Sequence, residues 1–172
     1  FAKLSPRAEL EIQPTDATPD RDTHNVDAHI HYRIDTDALD DDPEIRSVEL
    51  ARPPTVAVAS PSFVAAFGPF ETPRDLLRSS LLHEANFDQW RRWFAQYEID
   101  TGDNISGPKF WQAHLTLSAA KKGQGIALSN MLLVRDTLDR KELVQIGDWN
   151  PVYLGRYVFT ARRNRWRSPL VT

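Results

Sequence analysis

The stretch Ala119-Ala120-Lys121-Lys122-Gly123-Gln124-Gly125-Ile126-Ala127-Leu128 decides the fold, because a helix must end and a strand must begin within it. The two lysines before a glycine are typical of a helix C-terminus, where cations and a left-handed cap are favoured. Residues 125–129 (GIALS) form a short apolar strand pattern. The glycines therefore predict a tight helix-to-strand turn. A dinucleotide-binding glycine loop runs from strand to helix and is not predicted here.

The same alternation of helix and strand extends along the rest of the chain. Apolar patterning predicts strands over 9–12, 26–33, 47–52, 56–59, 80–83, 125–129, 143–146 and 153–161, and helices over 72–78, 87–97, 112–122 and 131–140. In the second helix, Trp90, Trp93 and Phe94 could form a partner-binding patch. Packing in the core is favoured, with Trp93 the more exposed of the three. Alternating elements predict an α/β fold with a largely parallel sheet.

Composition excludes several classes of protein. A length of 172 residues suits one globular unit or two small halves. The absence of cysteine excludes a disulfide scaffold, a thiol nucleophile and every cysteine-ligated metal site. The longest apolar run, residues 63–67, is far shorter than the ~20 residues of a membrane helix. The sequence begins at Phe1 and contains a single methionine, Met131, so we expect it to be a piece of a longer protein.

Two charged segments have competing interpretations. Residues 35–44 are rich in aspartate, but a calcium loop needs a glycine at its sixth position and a glutamate at its twelfth, so a solvated acidic turn is favoured. Residues 162–167 are basic and could contact nucleic acid, although a lead-in to a further helix is the better interpretation. The net charge of −3 includes no dense basic face of the kind that DNA binding needs.

The histidines and serines do not by themselves predict chemistry. His29 and His31 share one face of a predicted strand, a spacing used in some metal sites, but no third ligand is placed by the sequence. A polar strand face is therefore favoured, and we predict no metal and no cofactor. Ser60 and Ser129 have neither a nucleophile-elbow motif nor a base at a defined spacing, so an enzyme is not predicted.

Five segments carry a family resemblance. They are IRSVELAR (45–52), VASPSF (58–63), TPRDLL (72–77), LLHE (81–84) and, most specific, AAKKGQGIAL (119–128). The chain resembles the effector-binding domain of LysR-type transcriptional regulators, nearest the glycine-cleavage-activator-like branch. The match covers nearly the whole chain.

The resemblance implies two Rossmann-like subdomains joined by crossover strands, similar to a type 2 periplasmic binding protein. Residues 1–53 with 161–172 would form subdomain I, and residues 54–160 subdomain II. A small-molecule effector would bind in the cleft between them and regulate transcription by shifting the arrangement of paired subunits. The resemblance also implies a cytoplasmic protein without a membrane partner. It would be a homodimer or homotetramer, pairing the 9–12 strand with a helix such as 112–122.

The sequence departs from the family pattern at both ends. The winged helix-turn-helix that contacts DNA and its linker helix are not among these residues, and the family's last helix would begin near Ser168. We expect part of the effector pocket and of the dimer interface to be missing.

The effector site is predicted where strands end, because open α/β sheets bind ligands beyond the carboxyl ends of their strands. Hydroxyl and amide groups would orient the effector, an indole would pack on it, and a histidine beside a glutamate would set the preference for its charge. The candidate residues are Thr15, Ser60, His83, Glu84, Trp111, Gln112 and Ser129. The histidine is nearly as well explained as a structural residue at a strand end. A solute-binding protein of a transport system is the main alternative function.

Overall fold

The computed structural model describes residues 11–14, 26–35, 43–102 and 105–166, and the chain divides into two compact units. Unit 1 comprises the residues up to Arg52 together with those from Gly155 onward, and unit 2 comprises Pro53–Leu154. The sequence placed the second boundary between residues 160 and 161. The structure instead assigns the whole strand that begins at Gly155 to unit 1.

Every predicted element after residue 25 has a counterpart within a few residues. The strands are β1 (His29–Ile34), β2 (Ile45–Ala51), β3 (Thr55–Ala59), β4 (Leu81–Leu82), β5 (Ile126–Asn130), β6 (Val144–Gln145) and β7 (Gly155–Arg162). The helices are α1 (Pro61–Phe67), a 3-10 helix (Pro73–Arg78), α2 (Asp88–Ala95), α3 (Ala113–Lys121) and α4 (Met131–Asp139).

Unit 1 is built on a three-stranded sheet in the order β1-β7-β2. Both neighbouring pairs are antiparallel, and Ile30 of β1 and Val48 of β2 face Phe159 of β7 from opposite sides. A bulge interrupts β2 between Glu49 and Ala51. The central position of β7 explains why it belongs to unit 1, because all of its strand partners lie there.

In β1 the apolar side chains are not the buried ones. The side chains of Ile30 and Tyr32 are 65% and 37% exposed, whereas His29 and His31 are half-buried and Arg33 is buried. The apolar face of this strand is therefore the more exposed one. Among the described residues, no group of three or more potential ligands could hold a metal ion.

Unit 2 contains a four-stranded sheet in the order β4-β5-β3-β6. Strands β4 and β5 are parallel, but β3 runs antiparallel to both β5 and β6. The prediction of a largely parallel sheet is therefore wrong, although the α/β class is confirmed. Apolar patterns in the sequence identify strands, but they carry no information on whether neighbouring strands of a sheet run parallel or antiparallel.

Both faces of the unit 2 sheet are buried under helices. Alternate strand residues such as Ala57 and Leu128 join one core cluster with Phe63 of α1 and the aromatic residues of α2. The residues between them, such as Val58 and Ala127, pack against α3 and α4 in a second cluster. The sheet is thus the middle layer of a three-layer unit.

Helix α2 is fixed to this sheet by its two tryptophans. The indole N–H of Trp90 donates to the carbonyl of Leu82 at 2.9 Å, and that of Trp93 donates to the carbonyl of Thr55 at 3.2 Å. Trp93 is only 1% exposed, so the expectation that it would be the more exposed aromatic residue is wrong. A buried indole requires an acceptor for its N–H, and the start of β3 supplies one.

Few of the predictions for the ends of the sequence fall on residues that the structure describes. Residues 9 and 10, like most of the acidic run, lie outside the described residues, and Glu11 and Ile12 are exposed and irregular. The basic segment forms a turn in which Trp166 stacks on Phe159 and Arg165 pairs with Asp27 at 3.5 Å. No helix in the described part of the chain is long and apolar enough to cross a membrane.

Candidate functional site

Most of the candidate residues lie at one edge of the unit 2 sheet. Because β4 and β5 are parallel, His83, Glu84 and Ser129 all stand at the same edge. The antiparallel strand β3 begins at this edge with Thr55, whose neighbour across the ladder is Asn130. We refer to this place as the β4–β5 edge.

Ser60 does not belong to the β4–β5 edge. It follows the carboxyl end of β3, and because β3 runs antiparallel to β5, this end lies at the opposite edge of the sheet. Its hydroxyl accepts a hydrogen bond from the backbone N–H of Phe63 at 3.1 Å and so caps α1. The expectation that Ser60 shares one site with His83 and Ser129 is wrong for this reason. Thr15 lies outside the described residues.

A loop before α3 is hydrogen-bonded to the end of β4. The backbone N–H of His83 donates to the carbonyl of Pro108 at 3.0 Å, and Phe110 donates to the carbonyl of His83 at 2.9 Å. The backbone N–H of Trp111 then donates to the carbonyl of Glu84 at 3.3 Å. These bonds extend the sheet by one short parallel bridge and bring residues 111 and 112 next to His83 and Glu84.

Gly107 makes this close approach possible. It has a φ of 144°, which side chains rarely tolerate. A Cβ atom at this position would collide with the carbonyl oxygen of Leu81 and lie 3.1 Å from Nε2 of His83. The glycine is therefore required where the loop crosses the end of β4.

His83 is buried at the base of the β4–β5 edge, with 1% of its surface exposed. Its Nε2 lies 3.2 Å from the carbonyl oxygen of Ser106, to which it can donate, and its ring meets Phe87 edge-on. Among the described residues its Nδ1 is buried without a hydrogen-bond partner. Burial lowers the pKa of this imidazole below its ordinary value, and the nearby positive charge of Lys109 acts in the same direction, whereas the Ser106 bond opposes both.

Glu84 is half-buried beside it, and burial raises the pKa of its carboxyl group. Desolvation is the cause, because taking a carboxylate out of water penalises its charged form. A ligand that donates a hydrogen bond or carries a positive charge would stabilise the ionised carboxylate. Glu84 therefore favours donor groups over a second carboxylate at this place.

Trp111 and Gln112 present the start of α3 at the same edge. The side chain of Trp111 is 74% exposed, and its backbone has a φ of 65°, in the left-handed region that non-glycine residues seldom adopt. Gln112 is the N-cap residue of α3, and its side chain does not cap the first turn. The helix start therefore combines an exposed indole with backbone N–H groups that favour acceptors or anions.

Ser129 completes the edge on β5. It is 4% exposed and stands opposite Val56 of β3. Its hydroxyl oxygen lies 3.5 Å from the carbonyl oxygen of Asn130, a long contact that leaves the hydroxyl able to rotate toward another acceptor. Asn130 itself caps α4 by accepting from the N–H of Leu133 at 3.2 Å.

Sequence reasoning missed three residues near this edge. Thr55 begins β3 there, Lys109 lies with its ammonium group 4.3 Å from the centre of the Phe87 ring, and the hydroxyl of Thr116 donates to the carbonyl of Gln112 at 3.1 Å. Thr55 was missed because the sequence does not show that β3 runs antiparallel to β5 and therefore begins at this edge. The Pro53-Pro54 pair before this strand marks the start of unit 2.

One surface depression lies elsewhere in unit 2. It encloses about 470 Å³ at the end of α2 and is lined by Arg91, Glu98 and Asp100 together with smaller residues. None of the candidate residues lines it. Its walls carry both signs of charge, which gives no preference for one class of ligand.

Comparisons with known proteins identify the family. The model of the LysR substrate binding domain matches residues 1–172. The glycine cleavage system transcriptional activator of Escherichia coli (strain K12) is 28% identical over 144 residues, which are 84% of this chain and 46% of that protein. The chain therefore spans about half the length of the curated relatives that it matches.

Solved structures show the same fold. The effector binding domain of AmpR from Citrobacter freundii superposes with a TM-score of 0.80 at 22% identity, covering 99% of this chain and 82% of the other. The effector domain of AmpR from Pseudomonas aeruginosa gives a TM-score of 0.79 at 20% identity, covering 99% and 79%. These domains have the type 2 periplasmic-binding-protein-like fold, in agreement with the expected architecture.

Proposed function

Because this chain belongs to the LysR substrate-binding domain family, we propose that it is the ligand-sensing part of a DNA-binding transcription regulator. A small-molecule effector binds to it, and the resulting change of state alters transcription. Contact with DNA is made by another domain of the same protein, and the regulator acts in the cytoplasm as a homodimer or homotetramer. The alternative of a solute-binding protein is not favoured, since the relatives and neighbours named above are regulators.

In unit 2, this proposal rests on the residues of the β4–β5 edge. Its hydrogen-bonding groups come from His83, Glu84, Gln112 and Ser129, and the exposed indole of Trp111 stands beside them. Small-molecule sites in proteins combine an apolar contact surface with a few convergent polar groups of this kind. Non-glycine residues in the left-handed region cluster at functional sites, and Trp111 is such a residue and also exposes its indole.

The chemistry of the edge defines the effector class that we propose. Glu84 favours a donor or cationic group, and the start of α3 favours an acceptor or a carboxylate. An amino acid or a related small molecule with both groups satisfies the two preferences. Trp111 would cover its apolar part.

No catalytic role is proposed for these residues. The hydroxyl of Ser60 is engaged in capping α1, and Ser129 stands at the other edge of the sheet. His83 is buried, with its Nε2 directed at the carbonyl of Ser106. The side-chain hydrogen bond of His83 is therefore made with a backbone carbonyl and not with either serine.

Thermal-shift screening against amino acids and small aromatic and aliphatic acids tests the proposal. We expect a hit whose stabilisation of the wild-type chain is largely lost in Trp111→Ala and in Glu84→Gln. The matched control is Leu115→Ala, which removes an exposed apolar side chain from the same helix region. Thr15→Ala extends the test to unit 1.

The outcomes separate specific from general effects. Equal shifts in wild type, Trp111→Ala and Glu84→Gln would remove the β4–β5 edge from the effector site while leaving ligand sensing intact. If no compound in the screen stabilised this chain, and none stabilised the full-length regulator, ligand sensing itself would be contradicted.

A further inference from the structure

His83 attaches a neighbouring segment to the end of β4 at three points. We call residues 106–111, which cross this end, the bridge segment. The backbone N–H of His83 donates to the carbonyl of Pro108 at 3.0 Å, and its carbonyl accepts from the N–H of Phe110 at 2.9 Å. Its imidazole Nε2 lies 3.2 Å from the carbonyl oxygen of Ser106. The position of the bridge segment therefore depends largely on one residue.

The attachment at Trp111 is weaker. Its N–H donates to the carbonyl of Glu84 at 3.3 Å, which is longer than the two backbone bonds of His83. The left-handed backbone of Trp111 is unfavourable for a residue with a side chain. Residues 106–109 and 111 are exposed, so only Phe110 packs against the core. Release of the bridge segment therefore uncovers little apolar surface and relieves the backbone at Trp111.

The surroundings of the His83 ring suit a neutral imidazole. When Nε2–H donates to the carbonyl of Ser106, Nδ1 of the neutral ring holds a lone pair and needs no acceptor. The imidazolium carries a second N–H at Nδ1, and among the described residues this buried atom has no hydrogen-bond partner. A buried donor without an acceptor is costly. The protonated ring is therefore better accommodated when the bridge segment leaves and water reaches it.

The cations around His83 act in the same direction. Lys109 of the bridge segment brings a positive charge near the imidazole, and both this charge and burial lower the pKa of the ring. On the side of α2, Phe87 meets the imidazole edge-on, and the guanidinium of Arg91 lies 5.9 Å from the centre of the Phe87 ring. A positive charge on His83 would therefore have two further cations in its neighbourhood.

The nearby carboxylates do not compensate for these cations. The carboxyl group of Glu84, the next residue in the chain, makes no hydrogen bond with either ring nitrogen of His83. Asp88 at the start of α2 is exposed and pairs with Arg91 at 3.5 Å. From α3, Thr116 approaches the carbonyl of His83 at 3.5 Å and does not titrate. Among the described residues, the ring thus has no anionic partner.

We propose that protonation of His83 releases the bridge segment from the end of β4 and so takes apart the effector site at the β4–β5 edge. The bonds of the bridge segment hold Trp111 and Gln112 beside Glu84, and these three residues separate when the bonds break. The site is assembled at neutral pH and opens in acid. Its meaning for effector binding rests on the ligand site proposed above, whereas the opening itself does not.

The size of the effect follows from proton linkage. In the open form the imidazole lies in water and has its ordinary pKa of 6.5, whereas the closed form holds the ring neutral. The ratio of open to closed molecules therefore rises by about tenfold between pH 7.5 and pH 5.5.

Amide hydrogen exchange of the chain without ligand tests this opening. After correction for the intrinsic exchange rate, the protection of the Phe110 and Trp111 amides should fall about tenfold from pH 7.5 to pH 5.5. In His83→Gln, which keeps a donor for the carbonyl of Ser106 but does not titrate, the protection should stay constant. His114→Gln is the matched control, because it removes an exposed histidine from the start of α3 and should behave as the wild type does.

The amides of β5 distinguish local opening from unfolding of unit 2. They should remain better protected than the bridge segment by roughly tenfold or more at both pH values. Equal protection of β5 and the bridge segment would overturn the proposal. Protection of Phe110 and Trp111 that does not change with pH in the wild type, or that falls equally in His83→Gln, would also overturn it.

Lys109→Glu covers the case in which His83→Gln does not fold. It replaces the positive charge near the imidazole by a negative one and keeps the backbone bridge between positions 83 and 109. The closed form should then tolerate the imidazolium, so the fall in protection between pH 7.5 and pH 5.5 should be clearly smaller than in the wild type. A fall of the same size would contradict the proposal.

The exchange contrast and the ligand screen fail independently. If only the proton dependence is wrong, a compound still stabilises the chain through Trp111 and Glu84 while the exchange of the bridge segment does not respond to pH. If only the ligand site is wrong, the bridge segment still opens in acid and no compound requires those two residues.

Discussion

At the scale of single residues, His83 links the stability of unit 2 to pH. Its pKa is lowered from the ordinary value of 6.5 because burial disfavours the imidazolium, so the unfolded chain binds a proton more readily than the folded chain does. The stability that His83 contributes is therefore fully present above pH 6.5 and is lost as the pH falls through 6.5 toward the folded pKa.

We predict that His83→Gln removes this part of the pH dependence. A glutamine amide can still donate to the carbonyl of Ser106 but does not titrate near neutral pH. Urea unfolding of both proteins between pH 5 and pH 8 measures the difference. The wild type should lose stability below pH 6.5 more steeply than the variant, and parallel curves would contradict a buried neutral His83.

Glu84 acts in the opposite sense at a neighbouring position. Its raised pKa means that the folded chain holds the proton longer than the unfolded chain does, so its contribution to stability decreases as the pH rises through 4.5. A half-buried carboxylate at neutral pH thus lowers the stability of the unliganded unit. This cost is the physical reason to regard Glu84 as a ligand-contacting residue.

At the scale of elements, the start of α1 shows what Ser60 does. Its hydroxyl caps the helix by accepting from Phe63, and the side chain stands at the opposite edge from His83. We predict that Ser60→Ala lowers the free energy of unfolding by about 1 kcal/mol, the usual value of an N-cap. The ligand-induced thermal shift should be unchanged.

Ser62→Ala is the control for this prediction. It removes a hydroxyl that lies 3.0 Å from that of Ser60 but leaves the cap itself in place. We expect a smaller loss of stability than in Ser60→Ala, measured by chemical denaturation of both variants. A ligand response that disappears in Ser60→Ala would return this serine to the effector site.

The elements were predictable because each leaves a local pattern. Short apolar runs identified β3 and β5, and the Lys-Lys-Gly ending identified the end of α3, since such signals act over a few residues. The direction of β3 was not predictable in the same way, because pairing is decided between segments about 70 residues apart. That single difference moved Ser60 away from the candidate site and brought Thr55 to it.

The burial of Trp93 has the same origin. The spacing of the aromatic residues in α2 predicted that Trp93 would be the more exposed of them. The carbonyl of Thr55, which accepts the Trp93 N–H, comes from a strand 38 residues earlier in the chain. Helix periodicity holds no information on such an acceptor. His83 and Glu84 were grouped with Trp111 and Gln112 by a different rule, which expects ligand sites where strands end and helices begin.

At the scale of the whole molecule, unit 2 contains what an independent domain needs. Both core clusters consist of residues between Ala57 and Leu154, and the sheet with its two helical layers is complete within the unit. Its two ends are joined by a backbone hydrogen bond of 2.7 Å from Thr55 to Val152. A chain segment with its own core and neighbouring ends satisfies the criteria for autonomous folding.

We therefore predict that a fragment of residues 53–154 folds cooperatively without unit 1. Four of the five tryptophans lie within it, and the packing of Trp90 against Trp93, with ring centres 5.7 Å apart, should give a near-ultraviolet circular dichroism signal that is lost in a single transition.

Leu82→Ala in the fragment is the control, because a cavity in its second core cluster should lower the midpoint markedly. A fragment with native helix content but no near-ultraviolet signal would contradict independent folding, since it would show that unit 2 needs unit 1 to fix its core. A cooperative fragment that still binds the effector weakly would show that the β4–β5 edge recognises the ligand by itself, and the loss in affinity relative to the full chain would then measure what unit 1 adds.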